Sequence, residues 1–322
     1  MTGTYIDPAR AKMTVDQWCD EWLEGYGTRR ASTVRKARVD LKRIRAKFGP
    51  VRLSAIRPSH VRAWTAELSA LLAPSTVYAT YRRFAQLMSD AVHDGLIPKS
   101  PCSRKTSPGQ PKPRPYVATT AQVWALYDAF SPWLRSAVLL GAFAGLRTAE
   151  AVAVDTRDAD FASGVITPSK QYPDEPLKSE TSKTPIPIPS DLSLMLAASV
   201  REWCGEKLVT DMFGKPVGPW VVEREMRKVR AVITADPSRG LEPLPEGFRF
   251  HDLRHYYASL LIAAGLDIKT VQTRLRHASA TTTLNIYGHM FPDKDESARA
   301  AVAAAFGARA DSLRTQQAAE TA

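Results

Sequence analysis

The chain has 322 residues, 44% of them hydrophobic, with a formal charge of +11 and a pI near 9.6. That length suits two domains of ordinary size, each with its own buried core. No run of 18 or more apolar residues occurs, which excludes a spanning helix. The opening stretch has no apolar signal region, and Cys19, Cys102 and Cys204 lie far apart, as expected of reduced thiols in a cytoplasm and not of a cysteine zinc site.

The charge is unevenly placed. Residues 1–115 hold 21 Lys or Arg against 9 Asp or Glu, while the remainder holds 23 against 24. A segment that basic suits a polyanion, of which DNA is the commonest, although a solvated basic surface would look the same.

In chain order, residues 13–97 read as four helices. Thr14 is a candidate N-cap for the first, whose apolar residues Val15, Trp18, Trp22 and Leu23 fall at helical spacing. Ser32 opens the second, closed by Gly49, with Val34, Val39, Leu41, Ile44 and Phe48 forming part of a stripe among many Arg and Lys. The third follows Arg57-Pro58-Ser59, and the fourth follows Pro74-Ser75 and stops at Gly95. Residues 107–115, SPGQPKPRP, carry four prolines and sustain neither helix nor central strand. Extended, they reach roughly 25–30 Å, enough to cross the flank of a duplex.

Beyond this linker, AQVWALYDAF and SPWLRSAVLLGAFAG read as helices. FASGVITPSK and TPIPIP read as short strands flanking a polar loop, QYPDEPLKSETSK, and the block from Ser190 to Gly307 is again mostly helical. The expected fold class is mainly α with a small antiparallel β-sheet. The expected domains are a helical DNA-binding domain at 1–106, the linker at 107–115, a catalytic domain at 116–307 ending in a helix near 295–307, and a disordered tail at 308–322.

Chemistry concentrates in four segments. AGLRTAE (144–150) places Arg147 after the end of an apolar helix, and HDLRH (251–255) puts His251 and Arg254 on one helical face. LRHAS (275–279) carries His277, and NIYGH (285–289) carries Tyr287. Two arginines directed at one point repel unless an anion sits between them, and a phosphodiester fits a guanidinium fork. A phenol there is a candidate nucleophile, but its ordinary pKa near 10 demands a base or a cationic setting. Each residue also has an ordinary reading: Arg147 as a surface group at a helix end, and Tyr287, Tyr256 and Tyr257 as core tyrosines. His251 with His255 resembles half of a zinc hydrolase motif, but Arg254 inside it opposes a dication and Asp252 stands where Glu is required.

AGLRTAE, HDLRH and LRHASATTTLNIYGH, in this order and at these separations, resemble the active-site boxes of the tyrosine recombinases, the phage integrase family. The resemblance runs from residue 13 to about 307. It implies an all-α core-binding domain, an α+β catalytic domain, and the catalytic set Arg147, Lys178, His251, Arg254, His277 and Tyr287. The family lysine precedes a segment like S-R-R-T-I-P-L. LKSETSKTPIPIP carries Lys178 at that place, with Lys170 and Lys183 as alternatives. The implied reaction forms a 3′-phosphotyrosine on Tyr287, with Arg147, Arg254 and His277 stabilising phosphate charge. Lys178 protonates the leaving 5′-oxygen, His251 helps deprotonate Tyr287, and Glu150 orients Arg147. No metal, nucleotide or other cofactor is implied.

The implied partners are double-stranded DNA and three further copies of the chain, joined through the C-terminal helix, with a possible directionality factor or host DNA-bending protein. The cytoplasm is the expected location. The sequence departs from the family pattern at Arg276, where Gly is common, and an outward-facing side chain is expected there. GTYIDPARAKMTVDQW (3–18) resembles the join just after an arm-site DNA-binding domain, so the chain is expected to be truncated or to do without arm sites. Three rivals remain: a type IB topoisomerase, a DNA-binding relative that has lost cleavage, and a metal-dependent nuclease or zinc hydrolase.

Overall fold

The computed structural model describes residues 12–111, 115–236 and 240–291. The chain divides into two compact units, Met1–Pro113 and Arg114–Ala322. The expected C-terminal helix at 295–307 and the tail at 308–322 lie outside the described residues. No helix among the described residues is long and apolar enough to cross a membrane.

Among its described residues the first unit has four α-helices: α1 (Val15–Tyr26), α2 (Ala31–Phe48), α3 (Pro58–Leu71) and α4 (Pro74–His93). Thr14 caps α1 by accepting from the Gln17 amide, and the Gln17 side chain returns the bond to the Thr14 amide. Val15, Trp18, Cys19 and Trp22 turn inward onto Leu41, Ile44 and Phe48 of α2 and Phe84, Leu87 and Met88 of α4. Phe48 stacks on Phe84 at 5.0 Å and Trp64 meets both edge-on. The indoles of Trp18 and Trp22 donate to the Leu87 carbonyl and the Asp90 carboxylate, which ties α1 to α4.

The α2 stripe differs from its expected form. Val39 is 45% exposed, and Asp40 turns inward instead, paired with Lys36 and accepting from Thr80. A paired carboxylate is thus buried where simple periodicity places an apolar side chain. The outer face of α2 presents Arg35, Lys36, Arg38 and Lys42 to solvent.

The second unit is built around α6 (Arg135–Phe143), whose residues Ser136 to Ala142 are all buried. It packs against α5 (Thr120–Ala129), α8 (Ser190–Trp203) and α10 (Phe250–Ala263). A Cβ at Gly141 would lie 2.8 Å from the Phe250 ring and 3.1 Å from Leu253, so glycine permits the close α6–α10 crossing. The short α7 (Thr148–Ala151) follows α6. Further on come α9 (Pro219–Thr234), α11 (Ile268–Arg274) and α12 (Ala280–Tyr287).

The strands are two residues each. β1 (Ala159–Asp160), β2 (Val165–Ile166) and β5 (Ile186–Pro187) form an antiparallel sheet in the order β1-β2-β5. Ile166 lies opposite both Ala159 and Ile186, and it is fully buried. The segment expected as a polar loop contains a second hairpin, β3 (Lys170–Gln171) with β4 (Glu175–Pro176). Its strands are too short and polar to show a period-two pattern.

Candidate active site

The site lies within the second unit, around the start of α7, the N-terminal half of α10, and the α11–α12 region. After α6 the chain turns at Gly145, with φ of +64°. A Cβ there would sit 2.4 Å from the Tyr257 ring, so both conformation and space require glycine. The turn delivers Arg147 to the mouth of α7. Glu150, buried at the third position of that helix, accepts from the Arg147 amide at 3.1 Å and from its guanidinium Nη1 at 2.7 Å.

The second Glu150 oxygen accepts from Arg276 Nη2 at 2.6 Å. Arg276 therefore does not face outward. It is 1% exposed with φ of +53°, and its Nη1 donates to the Ser182 carbonyl at 3.0 Å. The expectation failed because the buried Glu150 carboxylate, 126 residues away in sequence, draws the side chain inward. Burial alone would raise the Glu150 pKa. Arg276 and then Arg147 outweigh it and hold the group below its ordinary value.

Arg254 is also 1% exposed. Its Nη1 donates to the Gly145 carbonyl at 2.5 Å, and its Nη2 donates to the Leu275 carbonyl. Burial, then Arg147 and Arg276, press its pKa down to about 9. Arg147 and Arg276 thus share one carboxylate, while Arg254 feels the charge of both and is held by backbone carbonyls. The excess positive charge is what a buried anion would relieve.

Tyr287, the last residue of α12, is 1% exposed, and its hydroxyl lies 2.6 Å from His255 Nδ1. Burial raises the phenol to about 12 against the opposing pull of Arg254. His255 itself is pushed down to about 4, by burial first and then by His251 and Arg254, so at neutral pH it is uncharged and can accept the phenolic hydrogen. His251 is next in line on α10, its ring 5.0 Å from that of His255. It is exposed, and desolvation followed by Arg254 and Arg147 lowers its pKa.

His277 stacks parallel to Tyr287 with centroids 6.5 Å apart, and its Nδ1 lies 2.9 Å from the Thr283 hydroxyl. With that hydroxyl donating, Nε2 carries the ring hydrogen. Burial, then Arg254 and Arg147, hold His277 down to about 3.

Lys178 lies just beyond β4, exposed and without an ion pair to a described residue. Lys170 is held by Asp155 at 3.0 Å and Asp174 at 3.1 Å, and Lys183 by Glu180 at 2.9 Å. Tyr256 and Tyr257 are buried, Tyr256 donating to Thr120. Among the described residues, no group of three or more His, Cys, Asp or Glu is placed to hold a metal.

The structure joins Arg147, Arg254, His277 and Tyr287 in one cluster through contacts and mutual charge effects, with His251 at its edge and Lys178 on a neighbouring turn. Sequence reasoning missed two members, His255 and Arg276. His255 follows His251 by one turn on the same face of α10, a spacing that pointed to it. Arg276 gave no such signal, since its partner Glu150 lies 126 residues away.

The profile of the phage integrase family matches residues 117–294, more than half of the chain. The tyrosine recombinase XerC of Rhizobium meliloti is 29% identical over 257 residues, 73% of this chain and 74% of that one. The XerC of Agrobacterium fabrum is 32% identical over 206 residues, 59% of each chain. Among solved structures, a Tn1549 transposon integrase in complex with a circular intermediate DNA superposes with a TM-score of 0.78 at 18% identity, covering 90% of this chain and 98% of that one. A lambda integrase tetramer bound to a Holliday junction gives 0.70 at 18% identity over 88% and 79%. With the profile spanning the second unit from before α5 to past α12, the chain belongs to the phage integrase family of tyrosine recombinases.

Proposed function

We propose that this chain is a site-specific DNA recombinase that cleaves and rejoins duplex DNA through a 3′-phosphotyrosine on Tyr287, for integration or excision of a mobile element. The observation that carries this reading is the buried phenol beside Arg254, which is pressed by two further arginines, Arg147 and Arg276, that share the Glu150 carboxylate. The scissile phosphate is the missing counter-anion. Arg147, Arg254 and the Nε2 hydrogen of His277 stabilise charge on its non-bridging oxygens. As the Tyr287 Oη–P bond forms, the phenolic proton leaves to a histidine of α10. His255 holds it in the free chain, and His251 lies next in line. As the P–O5′ bond breaks, Lys178 supplies the proton to the leaving oxygen. The phosphodiester energy is conserved in the protein–DNA bond, so neither a nucleotide nor a metal is needed.

The basic residues 1–106 serve as a DNA-binding domain, 107–115 as a linker and 116–307 as the catalytic domain. Four copies act on two duplexes in the cytoplasm, docking through the helix near 295–307, with a directionality factor or DNA-bending protein as possible accessories. This rests on family membership and on the basic face of α2. The direct test uses a nicked suicide substrate and a denaturing gel. Wild type is expected to leave a covalent band, and Tyr287→Phe to bind equally well and leave none. A covalent band from the Phe variant removes Tyr287 from this role. A two-site recombination assay run beside supercoil relaxation distinguishes strand exchange from topoisomerase action.

A further inference from the structure

The charged core contains one residue that the proposed chemistry does not use. Arg276 is fully buried, stands in the left-handed region at φ of +53°, and has an Nε hydrogen without a partner. Each of these is unfavourable: a backbone position suited to glycine, a desolvated guanidinium and an unmade hydrogen bond. What the residue achieves is a bridge. Nη2 holds Glu150, the carboxylate that also orients Arg147, and Nη1 holds the carbonyl of Ser182.

Ser182 closes the first turn of a short 3₁₀ helix, Glu180–Lys183. Its amide donates to the Ser179 carbonyl at 3.0 Å, and the Ser179 hydroxyl meets the hydroxyls of both Ser182 and Thr181 at 2.9 Å. Lys178 is the residue immediately before that closed turn, exposed on the surface. Its ammonium has no ion pair to a described residue that would fix it from outside. The turn therefore sets where the Lys178 backbone lies, and Arg276 is the side chain that anchors the turn to the arginine cluster.

We propose that Arg276 is a positioning residue for strand cleavage, holding the Lys178 turn in register with Glu150 and Arg147 so that the general acid reaches the leaving 5′-oxygen. This rests on the assignment of Lys178 as that acid. A misplaced acid slows P–O5′ cleavage because the leaving alkoxide lacks its proton, whereas a leaving thiolate needs none. The role is therefore legible in the leaving atom. The experiment compares single-turnover cleavage of an ordinary duplex with cleavage of one whose scissile 5′-oxygen is replaced by sulfur. The proteins are wild type, Arg276→Gly, Arg276→Lys and Lys178→Ala, with melting curves on the same preparations. Glycine removes the bridge and fits the positive φ. Lysine keeps the charge but cannot fork to both acceptors, and it carries the test if the glycine variant fails to fold.

Arg276→Gly is expected to cleave the oxygen substrate about 10- to 100-fold more slowly than wild type and the sulfur substrate at nearly the wild-type rate. Lys178→Ala should show the same relief, more strongly. If Lys178→Ala is relieved by sulfur but the Arg276 variants are equally slow on both substrates, the positioning role is overturned while the assignment of Lys178 stands. If Lys178→Ala is not relieved, the acid assignment fails and the proposal falls with it. Wild-type cleavage of the oxygen substrate by folded Arg276→Gly overturns the proposal alone.

Discussion

Glu150→Gln tests the charge balance of the arginine cluster. The substitution preserves shape and removes the only carboxylate among the described residues that Arg147 and Arg276 share. The two pairs differ in worth. Arg147 is 35% exposed, so its ion pair contributes about 0.2–1 kcal/mol. The side chains of Arg276 and Glu150 are both buried and 2.6 Å apart, and breaking such a buried pair costs about 3–5 kcal/mol because an uncompensated charge is left behind. The amide oxygen still accepts one hydrogen bond, which places the loss toward the lower end, about 3 kcal/mol. For a unit of this size that corresponds to a melting point lower by roughly 6–12 °C. A bound phosphodiester supplies the lost negative charge, so duplex DNA should raise the melting temperature of Glu150→Gln more than that of wild type. Differential scanning calorimetry with and without a target duplex measures both effects. A variant that melts within about 2 °C of wild type, or equal stabilisation of both proteins by DNA, would refute the view that this carboxylate stands in for the phosphate.

Other outcomes follow from the same geometry. Arg254→Ala should lose cleavage by orders of magnitude, roughly 3–4 kcal/mol in the transition state, and should also melt lower, because the Gly145 and Leu275 carbonyls lose their donor. Arg147→Ala should lose cleavage with little change in melting; equal melting losses for both variants would contradict this. Stability should fall as pH drops from about 6.5 toward 4, since His255 and His277 stay neutral when folded, at about 4 and about 3, and take up protons when unfolded. Each contributes about 1.4 kcal/mol per pH unit in that window, so His277→Gln should flatten the profile of urea midpoints, and an unchanged slope counts against burial of a neutral ring. DNA affinity of the whole chain should decline with salt by about 0.9 log units per log unit of salt for each phosphate contacted. Arg38→Glu should reduce that slope, whereas an unchanged slope would make the α2 surface a solubilising one.

The helices were legible because capping residues and apolar spacing agreed: Thr14, Pro58, Pro74 and Gly95 all mark boundaries seen in the structure. Arg147, Arg254, His277 and Tyr287 were each ambiguous alone; the order and separation of their segments suggested that they belong together, and the structure brings them into one cluster. What the sequence hid was pairing across distance. Asp40 turns inward because Lys36 and Thr80 meet it, and Arg276 turns inward because Glu150 does. The β3–β4 hairpin was hidden for a different reason: two-residue strands have no periodicity to read, and their hold comes from Lys170 and Lys207 with Asp155 and Asp174.

The parked tyrosine has a consequence for life off target. A phenol raised to about 12 and hydrogen-bonded to a neutral imidazole is a poor nucleophile. Its displacement from the ordinary value of about 10 makes the phenolate about 2.7 kcal/mol, or roughly a hundredfold, harder to form than in water. A protein that binds DNA largely through phosphates meets millions of wrong ones for every correct one. On the proposed assignment of Tyr287 as nucleophile, a phenol held this way makes indiscriminate contact with DNA harmless, and nicking requires that its hydrogen bond to His255 be released. Fidelity then depends as much on what releases Tyr287 as on what binds the bases.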